Sequence, residues 1–270
     1  SLRGLCSEGP SKPMPFAQVE GVNVYYAHRR PALPSGPPVV FLHGAGGSHQ
    51  HWLYQVRDLA SPACAPDLPA HGRSAGPGFV RIAAYGDWVV AFLDSLGLER
   101  VVIAGHSMGG AIALDVALRH PDRVGGLGLI STGARLPVSP ALLAGLRDDP
   151  ARTIRLITEW SFGRQVPSEM VEMGHEQMAA VLPQVLYGDF AACDVFDVRD
   201  RLGEIAVPSA VVCGIHDRMM PARHSVALRD GLPDARLTLV HGAGHMLMIE
   251  RPGAVTRALA RLVESLDPPG

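Results

Sequence analysis

No apolar run in this 270-residue chain approaches the roughly 18 residues that a membrane-spanning helix needs, so stable insertion into a bilayer is not expected. Residues 1–15 lack the apolar centre of a secretory signal, and Gly9, Pro10, Pro13 and Pro15 make them read as a loose leader. Charge of one sign is missing too. A net charge of -2 and a pI near 6.6 give no electrostatic reason to expect nucleic acid or an anionic membrane as a partner. Cysteine is sparse: Cys6, Cys64, Cys193 and Cys213 show no short paired spacing of the zinc or redox kind, and as free thiols they suit a reducing cytoplasm. Repeats and low-complexity tracts are absent. What is present, 47% hydrophobic and 19% charged residues, is enough for a large core in one globular domain with room for an insertion.

The stretch from Val101 to Ile112 organises the rest. Val101, Val102, Ile103 and Ala104 carry no polar side-chain atom and read as a strand buried on both faces, as in a parallel sheet. An apolar helix, expected from Ala111 to Leu118, follows almost at once. Between them Gly105-His106-Ser107-Met108-Gly109 fits G-x-S-x-G, in which the flanking glycines let the chain turn sharply and leave the Ser107 hydroxyl exposed. The first turn of that helix offers unpaired N–H groups and a positive dipole end, which would stabilise an oxyanion forming beside Ser107.

Elsewhere the pattern alternates between strands and helices. Phe16 to Arg30 reads as two strands joined at Glu20-Gly21, and Val39 to Leu42 as a strongly buried strand. His43-Gly44-Ala45-Gly46-Gly47-Ser48 follows, and without a Gly-Lys-Ser/Thr continuation it is not a phosphate loop. A helix from His51 to Leu59 is expected, packed on the sheet through Trp52. His49-Gln50-His51 is the nearest approach to a metal site, but Trp52-Leu53 stands where a metallo-β-lactamase-like pattern continues with Asp-His, so these histidines belong to the surface or a supporting role. Ala63–Pro66 is a short strand. Tyr85, Trp88, Val89, Phe92, Leu93 and Leu96 recur at helical spacing, and Val124 to Ile130 is again strand-like. Residues 133–205 then break the alternation with helix-like segments and turns. Ala210–Gly214 restarts it, Leu237–Val240 is the last strand, and Pro252–Leu266 is a closing helix.

In G-x-S-x-G set between strand and helix, in His43-Gly44 after an earlier strand, in Gly214-Ile215-His216-Asp217 before Pro221 and in Gly242-Ala243-Gly244-His245, the chain resembles the α/β-hydrolase family. The resemblance implies a mostly parallel eight-stranded sheet flanked by helices, with a helical lid inserted after the sixth strand. The core would be 16–132 and 206–268, and the lid 133–205. It also implies Ser107 as nucleophile, Asp217 as acid and His245 as base, in the chain order of this fold. His241 lacks the Gly-His context. The N–H groups of Ala45 and Met108 would form the oxyanion hole, and no metal or organic cofactor would be needed. Asp67-Leu68-Pro69-Ala70-His71-Gly72-Arg73-Ser74 resembles a family loop in which Ala70 replaces a glycine, and it is expected to brace the site's rim. Trp160, Phe162 and Met246 are candidates for the substrate pocket.

These residues point to a serine hydrolase acting on a small-molecule ester partner, with a small to medium lipophilic acyl group passing through an acyl-enzyme. Two alternatives share the same catalytic residues: a carbon–carbon-bond hydrolase or lyase, and a ligand receptor that keeps the fold. Carbon–carbon hydrolases commonly carry Asn before the serine and Trp after the histidine, where this chain has His106 and Met246. Fold sharing alone does not separate these classes.

Overall fold

The apolar segments pair into one eight-stranded sheet in a computed structural model that describes residues 16–266; the expected leader at 1–15, Cys6 within it, and positions 267–268 assigned to the core lie outside the described residues. The strands are β1 (Phe16–Val19), β2 (Val22–Arg29), β3 (Val39–Leu42), β4 (Ala63–Pro66), β5 (Val101–His106), β6 (Val124–Ile130), β7 (Ser209–Gly214) and β8 (Ala235–Val240). Their order is β1-β2-β4-β3-β5-β6-β7-β8. β1 and β2 form the antiparallel edge hairpin, β2 meets β4 antiparallel, and every later pairing is parallel. Strands β3, β4, β5 and β7 are buried at every position, which is what a parallel sheet covered on both faces requires of its sequence.

The helices are α1 (Leu53–Asp58), α2 (Ile82–Ser95), α3 (Met108–Arg119), α4 (Pro140–Asp148), α5 (Pro150–Ser161), α6 (Ser168–Ala179), α7 (Pro183–Asp194), α8 (Arg223–Gly231), the single turn α9 (Leu247–Glu250) and α10 (Pro252–Leu266). One face of the sheet is covered mainly by α2, α3 and α8, the other by α1 and α10. Each presents the stripe its spacing calls for: Tyr85, Val89, Phe92 and Leu93 from α2, and Val255, Leu259, Leu262 and Val263 from α10. Helices α4–α7 lie in sequence between β6 and β7 and pack about a cluster of their own, Leu146, Ile154, Ile157, Val181, Val185, Leu186 and Phe190. None of the described helices is long and apolar enough to cross a membrane.

The expected helix from His51 to Leu59 is corrected to two pieces. A 3-10 turn, His49–Trp52, begins where Ser48 accepts the Gln50 N–H, and α1 then stops at Asp58. The His49 N–H is bound by Asp67 at 2.7 Å, and Leu59 turns to extended backbone to bury its side chain. Trp52 does pack on the sheet, 4.8 Å from the Phe41 ring. The helix after the Ser107 turn begins three residues earlier than the apolar pattern implied, at Met108.

Candidate active site

Ser107 sits between β5 and α3 with φ 52, a left-handed conformation that costs a non-glycine residue of order 1–3 kcal/mol and survives only where neighbours enforce it. The enforcement is visible. A Cβ on Gly105 would collide with the Gly109 backbone, and one on Gly109 with the Leu42 carbonyl, so strand and helix can cross this closely only through glycine. The Ser107 N–H donates to the Ile130 carbonyl at 3.0 Å, and the Thr132 hydroxyl donates to the Ser107 carbonyl at 2.7 Å. Thr132 occupies the loop after β6.

Asp217 leaves the end of β7 and His245 follows β8, which brings two residues 28 positions apart to 2.9 Å, His245 Nδ1 to Asp217 Oδ2. Both are buried. The other carboxylate oxygen, Oδ1, accepts the Met219 and Met220 N–H groups at 2.9 and 2.7 Å, so the carboxylate cannot rotate away. A carboxylate facing Nδ1 fixes the hydrogen there and leaves Nε2 bare, the tautomer in which imidazole can take a proton from a hydroxyl. His241, the rival in the sequence, lies at the start of the loop outside this pair.

The loop after β3 is tied down by His43. Its Nδ1–H donates to the Gly44 carbonyl at 2.9 Å while Nε2 accepts the Leu68 N–H at 2.9 Å, which assigns a neutral ring. Burial, then the nearby His71, push its pKa well below the ordinary histidine value. The Gly44 carbonyl also accepts the Gly47 N–H at 3.0 Å. In a trans peptide the N–H points opposite to the C=O, so these two bonds set the direction of the Ala45 N–H. Neither the Ala45 nor the Met108 N–H is spent on a protein acceptor among the described residues.

A cavity of about 220 Å3 opens over these groups, lined by Ala45, Ser107 and His245 below and by residues of α4–α7 above. Trp160, Phe162 and Met246 all reach it. Phe162 and Met246 are buried in its wall, whereas Trp160 stands at 43% exposure, which puts it at the mouth. The inserted helices are fastened beside His245: the Ser161 carbonyl accepts the N–H groups of His245 and Met246 at 2.8 and 3.1 Å, and Arg218 donates to the carbonyls of Glu159 and Phe162. Glu250, its pKa raised by burial, accepts the N–H groups of Gly244 and Gly163 at 2.9 and 3.3 Å.

Several of these residues escaped the sequence reading. The His106 ring lies 4.6 Å from the His245 ring, tilted 58° to it, and its Nε2–H donates to the His245 carbonyl at 3.0 Å. Its signal was its place inside G-x-S-x-G. Glu250 stood in the sequence as a neighbour of His245, but only the folded loop aims its carboxylate back at Gly244. His49 and His51 are both buried, not surface groups, and His49 Nδ1 lies 2.8 Å from Asp67. Asp67 also accepts the Arg73 N–H at 2.8 Å, and Ser74 accepts the Tyr25 N–H at 3.0 Å, so this loop is held at both ends. Among the described residues, no three His, Cys, Asp or Glu side chains converge as metal ligands would. The three described thiols are buried, and burial pushes Cys64 up to about 12 and Cys213 up to about 11.

The chain belongs to the alpha/beta hydrolase family, whose model matches residues 39–258. It is 30% identical over 254 residues to a dihydrolipoyllysine-residue acetyltransferase component of an acetoin cleaving system from Cupriavidus necator, covering 87% of this chain but 65% of that protein, so it spans just under two thirds of that relative's length. It is 27% identical over 249 residues to a 2-hydroxy-6-oxo-6-phenylhexa-2,4-dienoate hydrolase from Burkholderia cepacia, with 82% and 86% of the two chains covered. Among solved structures it is similar to Est816, described as an N-acyl homoserine lactone degrading enzyme, at 28% identity and a TM-score of 0.81 over 91% of this chain and 98% of that one.

Proposed function

We propose, from that membership and from the residues gathered around the cavity, that the chain is a serine hydrolase cleaving carboxylic esters of small to medium lipophilic acyl groups through an acyl-enzyme. The observation that carries the reading is the buried 2.9 Å contact of Asp217 with the Nδ1 of a His245 that lines the same cavity as Ser107, itself held at φ 52. A serine hydroxyl is a poor nucleophile until a base removes its proton. His245 takes that proton as Ser107 Oγ attacks the ester carbonyl, and Asp217 keeps the imidazole in the receptive tautomer and stabilises the imidazolium. The tetrahedral oxyanion is received by the Ala45 and Met108 N–H groups, each worth about 3 kcal/mol in the transition state by the measure of comparable donors. His245 then protonates the leaving alcohol, and water repeats the sequence to free the acid. No metal or organic cofactor enters this scheme.

Residues 133–205 act in this reading as the lid over the acyl site, with Trp160, Phe162 and Met246 as walls, and the buried thiols suit a cytoplasmic enzyme. The test is a fluorophosphonate probe with a parallel hydrolysis profile across p-nitrophenyl esters of increasing length. Labelling confined to Ser107 and an optimum at short to medium acyl chains are expected. Esters left untouched while a vinylogous diketone is cleaved would move the chain to carbon–carbon hydrolysis, and stable ligand binding without turnover would make it a receptor.

A further inference from the structure

The carboxylate of Asp189 has no part in the scheme above, and no motif marks it. It lies in α7, is fully buried, and among the described residues is met only by donors from outside the inserted helices. Its Oδ2 accepts the Gly46 N–H at 3.0 Å and faces His71 Nε2 at 2.8 Å; its Oδ1 accepts the Tyr85 hydroxyl at 2.6 Å. These donors come from the loop after β3, the loop after β4 and helix α2. A carboxylate taken wholly out of water is costly unless its bonds are complete, and here they are completed across the boundary between two parts of the molecule. His71 also faces the Pro69 carbonyl through Nδ1 at 2.9 Å. With acceptors at both nitrogens the ring holds both hydrogens and a positive charge. Burial is the largest influence and opposes that charge, but Asp189, with the Pro69 carbonyl and Asp67, raises the His71 pKa on balance.

Gly46 gives the arrangement its direction. Its φ is 65, and a Cβ there would lie 2.8 Å from Leu186 Cδ1 and 3.1 Å from Met178 Cγ, so the loop is tucked under α6 and α7. Ala45 is therefore flanked by two held peptides. The one before it is held through the Gly44 carbonyl, and the one after it through the Gly46 N–H on Asp189.

We propose that Asp189 is a positioning residue for the oxyanion site, holding the Ala45–Gly46 peptide from above so that the Ala45 N–H keeps its aim at the developing charge. The inference rests on the ester-hydrolase reading. With both flanking peptides fixed, the dihedral angles of Ala45 cannot drift, and preorganised donors are what stabilise an oxyanion. A bare carboxylate behind the loop would oppose a forming negative charge. The His71 cation cancels it.

The test compares two ligands on the intact protein: an aliphatic trifluoromethyl ketone, which forms a tetrahedral adduct with an active serine, and the methyl ketone of the same length, which does not. For D189N, trifluoromethyl ketone affinity and kcat should both fall by about tenfold or more while methyl ketone affinity and KM stay within about twofold, because only the adduct and the transition state carry an oxyanion. Y85F removes a donor on Oδ1 and leaves Gly46 bound; it should lower thermal stability and leave the ratio of the two affinities within about twofold of the parent. If D189N does not fold, H71Q carries the same test, with a loss of about threefold expected in the ratio. An unchanged ratio in D189N or H71Q, or an equal loss of both ligands, overturns the proposal. A parent protein that binds both ketones alike and is not labelled at Ser107 overturns the ester-hydrolase reading instead.

Discussion

The sheet and the helices inserted after β6 are held by different physics. In the sheet, β5 lies between β3 and β6 with every residue buried, and apart from His106 at its end its side chains are apolar or glycine. Helices α4–α7 own a small apolar cluster, α7 adds Ala192 and Cys193 to the core beneath, and polar bonds fasten the group over the cavity at two edges. On one edge Ser161, Glu159 and Phe162 meet His245, Met246 and Arg218; on the other Asp189 meets Gly46, His71 and Tyr85. Apolar burial is tolerant of small shifts in position, whereas hydrogen bonds are lost within a fraction of an ångström. The roof of the cavity is thus tied by specific bonds to the loops after β3, β7 and β8, which bear the proposed Ala45, Asp217 and His245, and sheet and roof should respond differently to perturbation.

The largest expected effect belongs to the sheet alone. Ser107→Ala should lower kcat for p-nitrophenyl butyrate by about 10^4 to 10^6, as removal of a nucleophile acting in concert with its base does, with the thermal midpoint unchanged. Residual turnover within tenfold of the parent would remove Ser107 from the chemistry and leave the comparison without its functional side.

Cavity-creating substitutions should separate the two regions by location. Leu186→Ala empties the small cluster and should cost about 2–5 kcal/mol, the range for a buried leucine. Native-state hydrogen exchange should show the loss in α4–α7 amides with β5 amides close to their parent rates. Equal acceleration in both would mean that sheet and roof unfold as one unit.

Acid and base should also divide the molecule. Burial, against the pull of Asp67, lowers His51 to about 4, and burial keeps His43 and His106 neutral by pushing them well below the ordinary value. A group whose folded pKa is depressed binds more protons when unfolded, so stability is lost as pH falls from about 6.5 toward the folded value. For His51 this is about 3 kcal/mol in full and about 2 kcal/mol by pH 5. His71 has the opposite sign. Its raised pKa gives stability that is complete below about pH 6.5 and is lost as pH rises through the folded value. Urea midpoints from pH 4 to 9 should show His51→Gln flattening the acid limb and His71→Gln the alkaline one. The same limb altered by both would break the division.

The smallest effect concerns the mouth. Trp160 is 43% exposed while lining the cavity, so Trp160→Ala should shift the preferred acyl chain toward longer esters by about 0.8 kcal/mol per added methylene, with acetate turnover nearly intact. Loss of acetate and longer esters together would make Trp160 part of the packing of α5.

Much of the sheet is legible in the sequence because its signals are local. A strand buried on both faces must be apolar throughout, and a turn at φ 52 between closely crossing backbones must have glycines at 105 and 109, so the strand, the turn and Ser107 are written in adjacent letters. Gly-x-Gly-His and the Asp217 turn are written the same way, and the strand order then brings them together. The 3-10 turn at His49 was not legible, because what holds its start is Asp67, 18 residues away in the chain. Asp189 and Glu250 were not legible either. Each is a single acid in an ordinary helix or turn, and its role comes from donors up to 143 residues distant that converge only when the roof closes on the core. Periodicity and turn chemistry are properties of neighbours in the chain and are fixed by the sequence itself. The pairing of a buried charge with its partners is a property of the packed whole, since desolvation makes such a charge tolerable only where the fold delivers every bond it needs.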